Sequence, residues 1–253
     1  MNRVKSQPEA AMVIIGDEVL SGRTREGNGW RLAKILTEIG VSLREMRVVP
    51  DEQPAIVAAV NELRARVDHV FTSGGIGPTH DDITADAIAA AFGAPIGVRD
   101  DARAILEAYY PAGALNEARL RMARIPEGAT LILNPVSQAP GFTLGNVHVM
   151  AGVPAVFEAM LEELRPTLKG GAPVLSWAFR VEAPEGEMAV ALGALAARHP
   201  EVSLGSYPFY RGGAGSTLVA RAQDRAALEA AAVDLRAMLA DLGIDRVSET
   251  PPG

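Results

Sequence analysis

The fold of this protein is decided by residues 72–86, TSGGIGPTHDDITAD. A β-branched and aromatic run at residues 67–71 precedes this stretch and predicts a buried parallel strand. An apolar pattern at helical spacing follows it, over residues 83–92. A glycine loop between a strand and a helix favours anion binding, because its backbone N–H groups point outward and the helix dipole attracts negative charge. The stretch therefore predicts a phosphate site in an α/β protein.

The same stretch carries two carboxylates, Asp81 and Asp82, which would repel a phosphate. A divalent cation between them would remove that conflict, since hard oxygen ligands suit magnesium or manganese. A helix cap and a turn would explain one aspartate and two glycines, but not the crowd of hydroxyl groups around them. We therefore predict that Asp81 and Asp82 bind a metal. The ligand contacts predicted in this stretch are Thr72, Ser73, Gly74, Gly75, Gly77, Pro78, Thr79 and Thr84.

Composition restricts the class of protein. The chain has 253 residues, of which 48% are hydrophobic and 22% charged, as is usual for a globular protein. Its formal net charge of −7 argues against a nucleic-acid-binding surface, and no run is long enough to span a membrane. The absence of cysteine excludes disulfides, thiolate catalysis and zinc–thiolate sites. We expect a cytoplasmic protein whose partner is a small phosphorylated ligand.

Strands and helices alternate through the first part of the chain. Strands are predicted at residues 11–15, 41–49 and 67–71, with helices between them, one of them capped by Asn28. This alternation predicts a doubly wound, mainly parallel sheet. A hairpin is predicted at residues 142–150, about the turn dipeptide Gly145-Asn146.

A linker is predicted at residues 169–173, KGGAP, which divides the chain into domains 1–170 and 171–253. The smaller domain has the pattern strand, helix, strand, strand, helix, typical of a compact α+β module. The glycine-rich residues 211–215 between its last two strands are interpreted as a hairpin turn, because no helix follows them.

Other polar residues lie at predicted strand ends. Gly16, Asp17 and Glu18 follow the first strand, at the sheet edge where α/β proteins bind ligands. Asp51 follows the second strand, where it could cap the next helix or share a cleft with Asp82. Arginines at positions 119, 121 and 124 could form a solvated face or bind phosphates, and Arg121 is the one we expect at the ligand. The four histidines show no metal-ligand spacing.

These residues together resemble the molybdopterin-binding domain family of molybdenum-cofactor biosynthesis proteins. Within it they are most similar to the amino-terminal part of the competence/damage-inducible protein A family. The matching pieces are IGDE at 15–18, SG at 21–22, Asn28, PD at 50–51, GGIGPTHDDITADAIA at 74–89, PEGA at 126–129, NPV at 134–136, APGF at 139–142, GVP at 152–154 and GSYP at 205–208. The resemblance implies a three-layer α/β fold with a ligand cleft over the sheet. It adds Ser21, Gly22, Asn28, Pro140 and Gly141 to the expected ligand contacts.

The resemblance implies two activities. One branch cleaves ADP-ribose-type pyrophosphates with magnesium, manganese or cobalt; the other binds molybdopterin and transfers an adenylyl group or inserts metal. Asp82 matches both branches, Asp51 matches a second shared aspartate, and Asp81 matches only the competence-protein pattern. The resemblance therefore implies a catalytic set of Asp51, Asp81 and Asp82. A non-catalytic relative is a third possibility.

The sequence also departs from the family pattern. Ser137-Gln138 replaces the usual glycine-threonine, and Ala151 replaces a proline, both near the expected cleft. No match to the carboxyl-terminal amidohydrolase domain of full-length competence proteins is present, so we expect a form without it and no deamidation of nicotinamide mononucleotide. The family further implies a homo-oligomer, a dimer or trimer.

Overall fold

A computed structural model describes residues 7–210 and 214–252. Residue contacts divide the chain into two compact units, Met1–Gly171 and Ala172–Gly253. Among the described helices, none is both long and apolar enough to cross a membrane.

The first unit is built on a six-stranded sheet. Its chain contains the strands β1 (Glu9–Ile15), β2 (Ser42–Val49), β3 (His69–Ser73), β4 (Ile96–Val98), β5 (Arg124–Pro126), β6 (Thr130–Ile132), β7 (Gly141–Leu144) and β8 (Val147–Met150). The large sheet has the order β2-β1-β3-β8-β7-β6, and β4 pairs only with β5. The strands β2, β1, β3 and β8 run parallel to one another. β7 then pairs antiparallel with β8, and β6 pairs antiparallel with β7.

Seven helices accompany these strands in the first unit, within the described residues. They are α1 (Asp17–Leu20), α2 (Asn28–Glu38), α3 (Gln53–Arg64), α4 (Thr84–Phe92), α5 (Asp100–Tyr109), α6 (Glu117–Leu120) and α7 (Pro154–Leu164). One apolar core joins one sheet face to α3, α4 and α5, and a second core joins the other face to α2 and α7. The sheet is therefore buried on both faces, which is why β3 reads as a continuous buried run. The predicted three-layer, mainly parallel α/β fold is confirmed.

The register brings three strand ends together. Ile15 of β1 pairs with Val49 of β2, and Ile14 pairs with Ser73 of β3. The carboxyl ends of β1, β2 and β3 therefore meet at one edge of the sheet, where α1 and the glycine loop begin. The predicted hairpin is also confirmed, since β7 and β8 are antiparallel and Leu144 pairs with Val147 next to the turn.

The second unit is an antiparallel sheet covered by two helices. Its elements are β9 (Leu175–Val181), α8 (Glu185–Arg198), β10 (Ser203–Phe209), β11 (Gly215–Ala222), α9 (Arg225–Asp241) and β12 (Val247–Thr250), with the sheet order β10-β11-β9-β12. The predicted α+β module is confirmed, and β12 is an additional strand that the sequence analysis missed. Its four residues, VSET, are too short and polar to show a strand pattern. The interpretation of residues 211–215 as a turn lies in part outside the described residues.

Candidate functional site

The glycine loop leaves β3 in a conformation that only glycine adopts easily. Gly74 has φ +107° and Gly75 has φ +68°. A Cβ atom on Gly74 would lie 2.2 Å from the carbonyl oxygen of Ile15, and one on Gly75 would lie 2.2 Å from Thr84 Oγ1. Backbone angle and packing therefore both require glycine at these two positions.

Most of the hydroxyl groups predicted to contact the ligand are buried within the protein. Thr84 Oγ1 donates to the carbonyl oxygen of Gly74 at 2.9 Å and is fully buried. Ser73 is buried and its Oγ accepts a bond from Asn28 at 2.9 Å. Thr72 is buried as well. Thr72, Ser73 and Thr84 thus lie beneath the loop, so the expectation that they contact the ligand is not supported by their positions.

The backbone amides of the loop are free for a ligand. Within the described chain, the N–H groups of Gly75, Ile76 and Gly77 donate to no protein acceptor, whereas the N–H of Gly74 donates to Met150 O at 3.1 Å. Three consecutive free N–H groups beside the amino-terminal end of α4 form a concave donor surface for an anion. The phosphate site predicted at this loop stays a prediction, and these three N–H groups are the donors that it would use.

Asp82 shapes the loop rather than capping α4. Its Oδ2 accepts bonds from the N–H of Thr79 at 2.8 Å and from Thr79 Oγ1 at 2.5 Å. The residue before α4 is Ile83, and no side chain caps that helix, so the capping interpretation is wrong. The carboxylate can lie against the loop because Gly77 has no Cβ; a Cβ at this position would lie 2.6 Å from Asp82 Oδ2. Exposed Asp81 is the neighbouring carboxylate, and the Thr79 hydroxyl lowers its pKa.

Carboxylates gather at the adjoining strand ends. Asp51 does not cap α3, which begins after Glu52 without a side-chain cap. Its Oδ2 instead accepts the N–H of Asp17 at 2.9 Å. Partial burial raises the pKa of Asp51, and the charges of Glu18, Asp17 and Asp81 raise it further. Asp51 is therefore within electrostatic range of three other carboxylates, those of Asp17, Glu18 and Asp81. These four residues, at the ends of β1 and β2 and in the glycine loop, are called the acidic rim below.

A cleft of about 490 Å³ lies in front of the loop. Its lining includes six predicted residues, Glu18, Gly74, Gly75, Gly77, Pro78 and Asp82. It also includes residues that the sequence analysis did not assign to the ligand, namely Thr24, Ile76, Met122, Asn134, Ser137, Ala139, Ala151, Gly152, Val153, Pro154 and Val156. Several of these belong to the short motifs NPV, at 134–136, and GVP, at 152–154. Those motifs were the features of the sequence from which these residues could have been predicted.

The remaining predicted residues lie outside this cleft. Arg121 and Pro140 border a separate cavity of about 20 Å³ that is also lined by residues 75–77 of the loop. Arg121 Nη2 donates to the carbonyl oxygen of Asp82 at 3.2 Å. Gly141 is needed for packing, because a Cβ there would lie 2.3 Å from Val149 O. Ser21 and Gly22 are exposed in the turn after α1. The solvated interpretation of the three arginines is wrong, since all three are half-buried.

Two more expected ligand contacts lie inside the protein. Asn28 is not a helix cap: it is the first residue of α2, after Gly27, and it is 3% exposed. Its Nδ2 donates to Ser73 Oγ and to Gly152 O, at 2.9 and 2.8 Å, so it joins three segments of the chain. Gly16 is buried beneath Glu18, whose carboxylate a Cβ would meet at 2.5 Å.

The donor atoms around the loop fit a hard divalent cation. They are carboxylate oxygens. Burial is the main cause of the raised pKa of Asp51, and a cation would relieve the smaller contribution from the repulsion of neighbouring carboxylates. In the part of the chain that the structure describes, no three acidic or histidine side chains converge to hold a metal alone. Magnesium often takes one or two carboxylates and completes its coordination with water and substrate phosphates. A cation at the rim would therefore need further oxygen ligands from water or a bound phosphate, and metal binding stays a prediction.

Comparison with known proteins agrees with this architecture. Residues 11–170 match the family described as a probable molybdopterin binding domain, and residues 173–248 match the FAD synthase middle domain. A protein of Pyrobaculum calidifontis is 37% identical over 212 residues, which cover 79% of this chain and 81% of that protein.

Two CinA proteins are also similar. A CinA-like protein of Myxococcus xanthus is 34% identical over 211 residues, covering 77% of this chain but only 50% of the relative, so the chain spans half of that protein's length. The structure of CinA from Thermoplasma acidophilum, a protein described as of unknown function, has a TM-score of 0.60 and 34% identity. It covers 63% of this chain and 97% of that chain. The chain therefore belongs to the molybdopterin-binding domain family and is a CinA-like member of it.

Proposed function

We propose that the cleft binds a nucleotide diphosphate of the ADP-ribose type and hydrolyses its pyrophosphate bond with a divalent cation. The observation that carries this proposal is that three free loop amides, at residues 75–77, line the same cleft as the carboxylates of Glu18 and Asp82. Amides attract phosphate and carboxylates repel it, so the two groups serve one ligand only if a cation accompanies that ligand.

The loop and the rim would have separate tasks. The N–H groups of Gly75, Ile76 and Gly77 would hold phosphate oxygens and stabilise the negative charge that develops on them. The carboxylates of Asp82 and of the rim residue Asp81 would hold the cation, which supplies charge neutralisation at the phosphoryl oxygens when bound. Asp82 has one oxygen committed to Thr79, so its Oδ1 is the atom that remains for this role.

Asp51 would accept the proton. Its pKa is raised by burial and by neighbouring carboxylates, which makes it a stronger base than an ordinary aspartate. A water oxygen would bond to one phosphorus while the bond from that phosphorus to the bridging oxygen breaks. The water proton would pass to Asp51, and the bridging oxygen would leave with the second phosphate. ADP-ribose would yield AMP and ribose 5-phosphate.

The test is release of AMP from ADP-ribose with magnesium, manganese or cobalt, measured by chromatography. The Asp51→Asn variant should lose most turnover, whereas Asp241→Asn, at an exposed position at the end of α9, should behave like the parent. No AMP release with any of the three metals, from protein that binds ADP-ribose, would reject the hydrolase proposal while leaving ligand binding intact.

A second candidate is binding of molybdopterin, favoured by the family match over residues 11–170. A melting screen with ADP-ribose, AMP and a pterin, each with and without metal, separates the two candidates. A ligand at a hundredfold excess over its dissociation constant should stabilise the protein by about 2.7 kcal/mol. Stabilisation by the pterin alone would favour the second candidate, and none by any ligand would favour a non-catalytic relative.

A further inference from the structure

The second unit presents an organised surface on the sheet face opposite its helices. Phe179, Val181 and Leu218 point toward α8 and α9 and are buried in the core between helices and sheet. Strand alternation places the intervening residues, among them Arg180 and Thr217, on the other face. Within the described part of this unit, no helix covers that face.

A single row of side chains crosses this face. Tyr207 of β10 pairs with Thr217 of β11, Thr217 pairs with Arg180 of β9, and Arg180 pairs with Ser248 of β12. Since neighbouring strands lie about 4.8 Å apart, the row sets an aromatic ring, a hydroxyl, a guanidinium and a second hydroxyl at regular intervals over about 14 Å.

Tyr207 is held as a flat platform. Gly205 lies beneath its ring, since a Cβ at Gly205 would lie 3.3 Å from the ring atoms. Arg221 Nη1 donates to the Tyr207 hydroxyl at 3.0 Å, which fixes the outer end of the ring. The residue nevertheless remains 48% exposed, so a second ring can stack on its outer side.

Arg180 supplies a positive charge at the other side of the row. Its guanidinium carbon lies 3.3 Å from the centre of the Phe209 ring, which orients it. Among the described residues it has no carboxylate partner, whereas nearby Arg246 pairs with Glu182 at 3.3 Å. A pocket of about 240 Å³ at this edge of the sheet is lined by Arg180, Ser248 and Val247, together with the Arg246–Glu182 ion pair. The pocket therefore offers one unneutralised guanidinium and a hydroxyl, which suit a phosphate.

We propose that this face binds one free mononucleotide, with its base on Tyr207, its ribose near Thr217 and its phosphate at Arg180 and Ser248. The row of described residues has one stacking platform and one arginine without a carboxylate partner, enough for a single nucleotide. Arg221, on the same sheet face, is already bonded to the Tyr207 hydroxyl. An oligonucleotide would need a succession of basic contacts, and the chain carries a net charge of −7. This site lies wholly in the second unit and does not rest on the function proposed for the cleft.

The test is photolabelling of the intact chain with 8-azido-AMP, followed by tryptic mapping. The label should appear in the peptide of residues 199–211, which contains β10. Tyr207→Leu should reduce that label about tenfold, while Tyr207→Phe, which keeps the ring, should retain most of it. Tyr210→Leu is the matched control, because Tyr210 is 83% exposed and lies outside the row. Equal labelling of this peptide in Tyr207→Leu and Tyr210→Leu, or label confined to the first unit, would overturn the proposal.

A second measurement separates phosphate from base. Equilibrium dialysis should show that Arg180→Gln binds AMP about tenfold more weakly than the parent but binds adenosine equally. Arg198→Gln, which removes an arginine of α8 on the other side of the sheet, should change neither. Equal AMP affinity for Arg180→Gln and Arg198→Gln would contradict the phosphate position.

Discussion

The two ends of strands β3 and β8 differ in whether their polar groups have hydrogen-bond partners within the protein. At the carboxyl end, the glycine loop leaves three N–H groups without protein partners, and carboxylates crowd beside them. At the amino end, His69 and His148 are 9% and 5% exposed, and their facing nitrogens, Nδ1 and Nε2, lie 3.1 Å apart. The carboxyl end presents polar groups without protein hydrogen-bond partners to a cleft. The amino end buries polar groups that hydrogen-bond to each other.

The histidine pair forms a directed chain of hydrogen bonds. Lys169 O can only accept, so His69 Nε2, at 3.3 Å from it, carries the proton. His69 Nδ1 then accepts from His148 Nε2, and His148 Nδ1 accepts from the Thr143 hydroxyl at 3.0 Å. Both rings are thus neutral in this arrangement. Burial is the main cause that lowers the pKa of His148 to about 3, and repulsion from His69 in its protonated form is the second cause.

The difference shows that cavity size does not locate the functional site. A cavity of about 580 Å³ borders the histidines, larger than the cleft of about 490 Å³ at the loop. The histidine pair is the more conspicuous cluster of titratable groups. Each of its ring nitrogens has a hydrogen-bond partner, however, which indicates a structural network. Within the described chain, the N–H groups of Gly75, Ile76 and Gly77 have no such partners, so they are the groups that a ligand can satisfy.

The largest expected effect comes from removing the charge of Asp82. Asp82→Asn keeps an oxygen that can accept from Thr79 but should lower hydrolysis of ADP-ribose by about two to three orders of magnitude. Steady-state kinetics with manganese measures this, and thermal melting should change little. Asp100→Asn, an exposed position in the first turn of α5, is the control and should keep full activity. An Asp82→Asn protein that turns over like its control would remove Asp82 from the proposed mechanism.

The second prediction separates packing from backbone angle at the loop. Gly75→Ala should destabilise the protein by about 3 kcal/mol, from the left-handed backbone plus the displaced Thr84 bond. Gly22→Ala shares the backbone angle, φ +73° against +68°, but its Cβ would meet nothing within 4 Å. It should cost only about 1 kcal/mol. Urea unfolding of both variants checks this, and equal losses would mean that Thr84 does not constrain the loop.

A third prediction tests the opposite end of the strands through pH. Because the pKa of His148 falls from 6.5 to about 3 on folding, the unfolded chain binds more protons below pH 6.5. Stability should therefore be complete above pH 6.5 and fall toward pH 3, with about 2 kcal/mol lost at pH 5. In urea unfolding, His148→Gln should remove much of this dependence. His80→Gln, whose side chain is 98% exposed, should retain it; if the two variants show the same dependence, His148 is not its source.

The smallest expected effect concerns the acidic rim. The charge of Glu18 helps to raise the pKa of Asp51, so Glu18→Gln should lower that pKa. If Asp51 is the base, the acidic limb of the kcat/KM profile for ADP-ribose should move to lower pH. Glu187→Gln, an exposed change in α8, should leave the profile where it is. If the acidic limb of the kcat/KM profile lies at the same pH in Glu18→Gln as in the parent, the pKa of Asp51 does not determine that limb.

The sequence by itself determined the layered α/β fold and the glycine loop. Both depend on local signals: alternating strand and helix periodicity, and glycines at 74 and 75 where the backbone turns left-handed. For the same reason the small α+β unit was predictable, except for β12, whose four residues carry too little pattern.

Only the tertiary structure decided which polar residues face a ligand. Ser73 and Thr84 look like Thr79 in the sequence, but strand alternation and the turn bury the first two and expose the third. Asp51 and Asp17 are 34 residues apart, and His69 and His148 are 79 apart. Their contacts arise from the order in which strands align in the sheet, and no spacing along the chain encodes that order.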